Sequence, residues 1–214
     1  MCAAQLSIPI YSSISIHPHL FIHSIHPYLS IHPSLSIHLY PSRMRALIQR
    51  VHSGSVSIRH ENHNHSLPPS HPSQPPPEKV NAIGKGAVVL IGISSKDTEE
   101  DAAYILRKTM SCRLWPDEQG KDWTKSLEDS GFDVLFVSQF TLLAECSKGK
   151  KPSFSRAMNP GDAKAMYESF LRKARETYEE KNKIEDGEFG AMMDVRIEND
   201  GPVTVMIDSQ NKGG

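Results

Sequence analysis

Phe132-Asp133-Val134-Leu135-Phe136-Val137-Ser138-Gln139-Phe140-Thr141-Leu142-Leu143 runs apolar from Val134 through Val137 and then meets two hydroxyls and an amide. A short uninterrupted apolar run is the pattern of a strand buried on both faces, not of one that alternates between core and water. Ala87-Val88-Val89-Leu90-Ile91-Gly92-Ile93 repeats the pattern, after Val80-Asn81-Ala82-Ile83 and the punctuation Gly84-Lys85-Gly86. The remaining elements are placed around these two strands.

Upstream, Met44–Ile58 (MRALIQRVHSGSVSI) is rich in β-branched and aliphatic residues and breaks at Ser53-Gly54, which predicts two strands in a hairpin. Asp97 followed by Glu100 resembles a capping box, and Ala102, Ala103, Ile105, Leu106 and Met110 share one helical face, so a helix is expected from about Thr98 to Cys112. The stretch RLWPDEQGKDW after Cys112 reads as a strand, a turn at Asp117 to Gly120 and a short strand. Asn159-Pro160 supplies an N-cap and a first-turn proline for a long helix, with Ala163, Met166, Tyr167, Phe170, Leu171, Ala174 and Tyr178 on its inner face. AMMDVRIEN and PVTVMID then predict two strands joined through Asp200-Gly201. Two helices with seven or more strands imply a mixed α/β protein with helices packed on one side of the sheet.

Two segments lie outside this pattern in a chain of 214 residues. Residues 1–43 contain no Asp or Glu and repeat SIHP at Ser15, Ser24 and Ser30. Such a tract lacks the varied apolar residues that offset ordering entropy, so it reads as a disordered N-terminal extension, or as sequence upstream of a start at Met44. It has no cationic region of a secretory signal and too little Arg for a transit peptide. Removing it is expected to leave folding and activity unchanged. Residues 60–78 (HENHNHSLPPSHPSQPPPE) read as a Pro/His-rich insertion in a surface loop, a length of chain that is cheap to close. One domain, 44–214, remains.

That domain carries all 25 acidic residues and all but one of the 24 Lys and Arg, a slightly acidic balance that gives no reason for broad binding along duplex nucleic acid. Cys2, Cys112 and Cys146 have no ligand spacing, which suits a reducing compartment without a disulfide frame. No apolar run approaches the roughly 20 residues of a membrane span. The expectation is a cytoplasmic protein with no membrane partner.

Between Pro72 and Gly214 there is no histidine. Ser-His-Asp and Cys-His mechanisms would have only His52, which reads as a hairpin surface residue because nothing in the sequence supplies its orienting carboxylate. No His or Cys spacing in the core forms a zinc site, so no metal and no cofactor is expected. Sites built from backbone remain. Ser138, Gln139, Phe140 and Thr141 end a buried strand, where ligand crevices open; Thr141 is a weak nucleophile without a base, whereas backbone N–H groups there could hold an oxyanion. Taken alone the segment is equally a strand terminus. Asn199-Asp200-Gly201-Pro202-Val203-Thr204 reads either as a hairpin turn or as a rigid turn whose bare glycine lets main-chain carbonyls approach a ligand. Lys148, Lys150 and Lys151 with Phe154 read either as a solvated loop or as phosphate contacts beside a stacking ring for an unpaired base.

MRALIQRV at Met44, SQFTL at Ser138 to Leu142, KPSF at Lys151 to Phe154 and NDGPVT at Asn199 to Thr204, in this order and spacing, resemble the D-aminoacyl-tRNA deacylase family, also known as D-tyrosyl-tRNA deacylases. The resemblance implies hydrolysis of the ester between a D-amino acid, or mischarged glycine, and the 3′-terminal adenosine of tRNA. It implies a homodimer with sites at the subunit interface and a three-layer ββα sandwich of two β-sheets with a helical layer. Ser138, Gln139, Phe140 and Thr141 would surround the scissile ester. Gly201-Pro202, matching the family's cis element, would enter from the partner subunit as a carbonyl filter that collides with an L side chain, and Arg50 would brace its carbonyls by hydrogen bonding. The missing general base favours an oxyanion role for the N–H groups of Phe140 and Thr141, with the tRNA 2′-hydroxyl assisting, over attack by the Thr141 hydroxyl. Gln139 and Asp200 fit the D-specific type better than a paralogue acting on L-aminoacyl-tRNA. A DNA-binding accessory protein and a pseudoenzyme of the same fold are the other readings.

Overall fold

The structure is a computed structural model that describes residues 44–59, 80–147 and 149–210. The N-terminal tract, the Pro/His-rich segment and Lys148 lie outside the described residues.

Six strands are hydrogen-bonded in the order β2-β1-β3-β4-β5, with β6 along the other edge of β1. They are β1 (Arg45–Ile58), β2 (Val80–Ile83), β3 (Gly86–Gly92), β4 (Asp133–Ser138), β5 (Ile184–Asp186) and β6 (Met193–Asp208). The β3–β4 and β4–β5 pairs are parallel and all pairs of β1 are antiparallel. A parallel pair needs a crossover, and helix α1 (Glu99–Ser111) with the short α2 (Leu127–Ser130) supplies the one from β3 to β4. Helix α3 (Pro160–Tyr178) lies in the crossover from β4 to β5. The fold is mixed α/β, as expected.

The continuous apolar runs have their explanation in two clusters. On one face Ala46, Ile48, Val89, Ile91, Val134 and Phe136 pack against Ile105 and Met110 of α1 and Phe170, Leu171 and Ala174 of α3. Phe136 meets Phe170 edge to face, 5.1 Å between ring centres. The alternate residues Val88, Leu135 and Val137 are buried in a second cluster with Val51, Val56 and Ile83, covered further by Val195 and Ile197. Burying each of the larger of these side chains stabilises the fold by about 1.5–3 kcal/mol.

Several expectations are corrected. The hairpin at Ser53-Gly54 is absent: β1 is one strand of 14 residues, because β6 runs beside it from Arg45↔Asp208 to Ile58↔Met193. Gly54 marks a close approach instead, since a Cβ there would stand 2.5 Å from Val88 Cγ2. The predicted hairpin at Asp200-Gly201 is likewise a bulge inside the single strand β6. Helix α1 is capped one residue later than expected, by Thr98 with Asp101; Asp97 instead accepts the Ser94 N–H at 2.6 Å. The two strands expected in RLWPDEQGKDW reduce to a single bridge, Trp115↔Lys125, closing a loop around the turn at Asp117. Among the described residues there are therefore six strands, not seven, and no helix is long and apolar enough to cross a membrane.

Candidate active site

Strand β4 ends at Ser138, and the chain makes one more β3 contact, from Gln139 N–H to Ile91 O at 2.6 Å. It then turns into a 3-10 helix, Phe140–Leu143. Leu143 is the buried residue that pins this turn to the core. Arg45 Nη1 donates to Leu142 O at 2.8 Å and so satisfies a carbonyl at the turn's C-terminal end. At its other end Phe140 and Thr141 are the first two residues, whose N–H groups have no acceptor within the turn. Gln139 Nε2 donates to Thr141 Oγ1 at 2.5 Å. That bond orients the hydroxyl but brings no proton acceptor to it.

A cavity of about 230 Å³ opens beside this ledge, lined by Ile91, Ser138, Gln139, Phe140, Met158 and Ala163 among others. Its walls come from the ends of β3 and β4 and the start of α3, whose N-cap Asn159 accepts the Asp162 N–H at 3.1 Å. One turn beyond Ala163, Tyr167 packs against Phe189, another wall residue. Burial, and then the charge of Asp186, hold the Tyr167 hydroxyl well above its ordinary range, so it stays neutral and is no base at physiological pH.

The loop after the ledge returns to it, since Glu145 and Ser153 exchange backbone hydrogen bonds of 2.8 and 2.9 Å. The return sets Phe154 against Phe140. Phe140 is 56% exposed and Phe154 38%, unusual for large aromatic rings in a folded domain. Lys150 and Lys151 are exposed on the same loop.

Arg50, Gly201 and Pro202 form a second group, and none of them lines the cavity of its own chain. The Gly201-Pro202 peptide is cis and both residues are exposed. Gly201 has φ +115°, a conformation that L side chains rarely adopt. Arg50 Nη1 donates to Leu114 O at 2.6 Å, and its Nε lies 3.0 Å from Asp200 Oδ2. A carboxylate is a stronger partner for guanidinium than a neutral carbonyl. His52, 60% exposed, does have a neighbouring carboxylate, Asp200 at 3.6 Å, but it too lies off the cavity lining.

The structure thus joins Ser138, Gln139, Phe140, Thr141 and Phe154 in one place and Arg50, Gly201 and Pro202 in another. Arg45, Met158, Ala163 and Phe189 were not anticipated. Ala163 was legible only as a core position of α3, and nothing in its helical spacing separates a cavity wall from packing. Among the described residues no cluster of His, Cys, Asp or Glu could hold a metal ion.

The family described as D-Tyr-tRNA(Tyr) deacylase matches residues 47–208. The D-aminoacyl-tRNA deacylase of Dictyostelium discoideum is 44% identical over 79% of this chain and all of that protein. D-aminoacyl-tRNA deacylase 1 of Homo sapiens is 41% identical over 79% of this chain and 72% of that one. That of Thermus aquaticus is 44% identical over 80% and 99%. Of solved structures, one described as c-Myc DNA Unwinding Element Binding Protein superposes with a TM-score of 0.63 at 42% identity, covering 77% of this chain and 97% of that one. Another, described as a probable eukaryotic D-amino acid tRNA deacylase, has a TM-score of 0.60 at 19% identity and covers 77% and 98%, a likeness of fold.

Proposed function

The chain belongs to the D-Tyr-tRNA(Tyr) deacylase family, and on that premise we propose that it hydrolyses D-aminoacyl-tRNA, and mischarged glycyl-tRNA, at the ester to the 3′-terminal adenosine. The observation that carries this reading is the ledge at Phe140 and Thr141, two N–H groups without acceptors in their own turn, with Phe140 on the lining of an apolar cavity and Thr141 the next residue. As water adds to the ester carbon, the carbonyl oxygen gains charge and these N–H groups stabilise it. An oxyanion donor of this kind contributes on the order of a hundredfold to a thousandfold in rate. The ribose 2′-hydroxyl, adjacent to the ester, assists by passing the attacking water's proton to the ribose 3′-oxygen as the ester bond breaks, which releases the free amino acid and the tRNA. No protein base is required, which agrees with a neutral Tyr167 and a Thr141 hydroxyl that accepts from Gln139.

Selection against L esters is assigned to Gly201-Pro202 of a partner subunit. Support comes from its exposure, its absence from the cavity of its own chain, and its place on β6, which among the described residues pairs only with β1 and leaves an open edge with Met206 59% exposed. A main-chain ridge facing the α-carbon collides with an L side chain and tolerates hydrogen or the opposite hand. Rejection by collision suits an enzyme working among a large excess of correct L-aminoacyl-tRNA. The second apolar cluster, which covers the far side of β3 and β4, supports a sandwich of two sheets with the helices as a third layer. Phe140, Phe154, Lys150, Lys151 and Lys148 bind the single-stranded tRNA end by stacking and by phosphate contact. The reaction needs no cofactor, and we place it in the cytoplasm.

The test is release of free tyrosine from D-Tyr-tRNA by the full chain. Catalysed release supports the reaction; a rate equal to spontaneous hydrolysis removes it. A second reading, a duplex-DNA accessory protein, rests on the 42% identical structure named for a DNA unwinding element. Duplex binding that survives physiological salt would support it.

A further inference from the structure

Between Gln49↔Thr204 and Val51↔Asn199 the register of β1 on β6 slips, so Asp200, Gly201, Pro202 and Val203 stand opposite the single residue Arg50. Four residues leaving a ladder lose their main-chain partners, and the bulge keeps one shape only if side chains replace them. Asn199 does so. Its Nδ2 donates to Arg50 O at 2.7 Å and to Val203 O at 3.2 Å, so one amide ties the residue opposite the bulge to the residue that closes it. Its Oδ1 accepts from Thr204 Oγ1 at 3.4 Å. Asp200 adds a second tie, its Oδ2 3.0 Å and its Oδ1 3.4 Å from the Arg50 guanidinium. Arg50 is in turn fixed to Leu114 O, so the bulge is referenced to the segment after α1. A Cβ on Gly201 would stand 2.8 Å from Val203 Cγ2 and 3.3 Å from Arg50 Nη2, which shows how closely the clamp encloses the turn.

We propose that Asn199 and Asp200 are positioning residues for chiral selection, holding the Gly201-Pro202 main chain as a stiff ridge. This rests on the reading of Gly201-Pro202 as the filter. A ridge rejects by collision only as strongly as it resists displacement: an L side chain that can push it aside is hydrolysed. Stiffness of the clamp therefore sets the leak of L esters, although neither residue touches substrate.

The full chains carrying Asn199→Ala and Asp200→Ala are compared with the parent for kcat/KM on D-Tyr-tRNA and L-Tyr-tRNA, together with Tm. The expected result is a rise of about tenfold in the L-to-D ratio, the scale of losing one or two hydrogen bonds. The D rate stays within about threefold, while Tm falls by roughly a few degrees, the scale of one or two lost hydrogen bonds. A ratio at the parent value, or D and L rates falling together, overturns the proposal. If Asn199→Ala does not fold, Asn199→Asp keeps the shape but removes both donated bonds, and is expected to leak in the same way. Pro202→Ala separates the two layers of the argument. If it changes the ratio while the Asn199 and Asp200 variants do not, the clamp is overturned and the filter stands; if none of the three changes it, both fall.

Discussion

The rings of Phe140, which lines the cavity, and Phe154 meet edge to face, 5.0 Å between centres and 73° between planes. One ring belongs to the ledge and the other to the basic loop, so the contact ties the loop to the ledge while both rings stay exposed. Phe154→Ala is expected to raise KM for D-Tyr-tRNA about tenfold, within the range of one lost base stack, and to leave kcat within about twofold. Steady-state kinetics checks it; a fall in kcat with KM unchanged would place Phe154 in the chemistry instead.

Thr141 offers a hydroxyl that already accepts from Gln139 Nε2, while its backbone N–H remains after any substitution but proline. Thr141→Ala should therefore keep deacylation within about tenfold of the parent rate, a much smaller loss than the roughly hundredfold to thousandfold expected when an oxyanion donor is removed. Single-turnover hydrolysis decides it. A rate equal to that of free aminoacyl-tRNA would make the hydroxyl essential.

Because Gly201-Pro202 does not line the cavity of its own chain, activity should follow dimer concentration. On serial dilution, specific activity is expected to fall in step with the dimer fraction seen by analytical ultracentrifugation. Full chiral selection by a monomer would refute the shared site.

Phe136 is fully buried between β4 and α3, against Phe170. Phe136→Ala removes a large core side chain and should lower stability by about 3–5 kcal/mol. Urea denaturation measures it, and a loss under about 1 kcal/mol would mean that the site collapses to fill the space.

Local pattern carried much of the fold. Asn159-Pro160 and the apolar spacing to Tyr178 marked α3 because capping and helical periodicity act within a few residues. Ala87–Ile93 and Phe132–Val137 were legible as doubly buried strands because both their clusters are apolar. Ser53-Gly54 and Asp200-Gly201 misled for one reason. Turn-forming residues also serve a close approach, as at Gly54, or a bulge, as at Asp200-Gly201, and only the long-range β1–β6 pairing separates either from a hairpin. The ledge was visible as a motif, but the Asp200 carboxylate on Arg50, 150 residues away in sequence, was not.

The most direct measurement is hydrolysis of D-Tyr-tRNA and L-Tyr-tRNA side by side by the full chain. A backbone ledge with a collision filter predicts rapid loss of the D ester, with the L ester decaying at its spontaneous rate. Equal cleavage of both, or faster cleavage of the L ester, would contradict it.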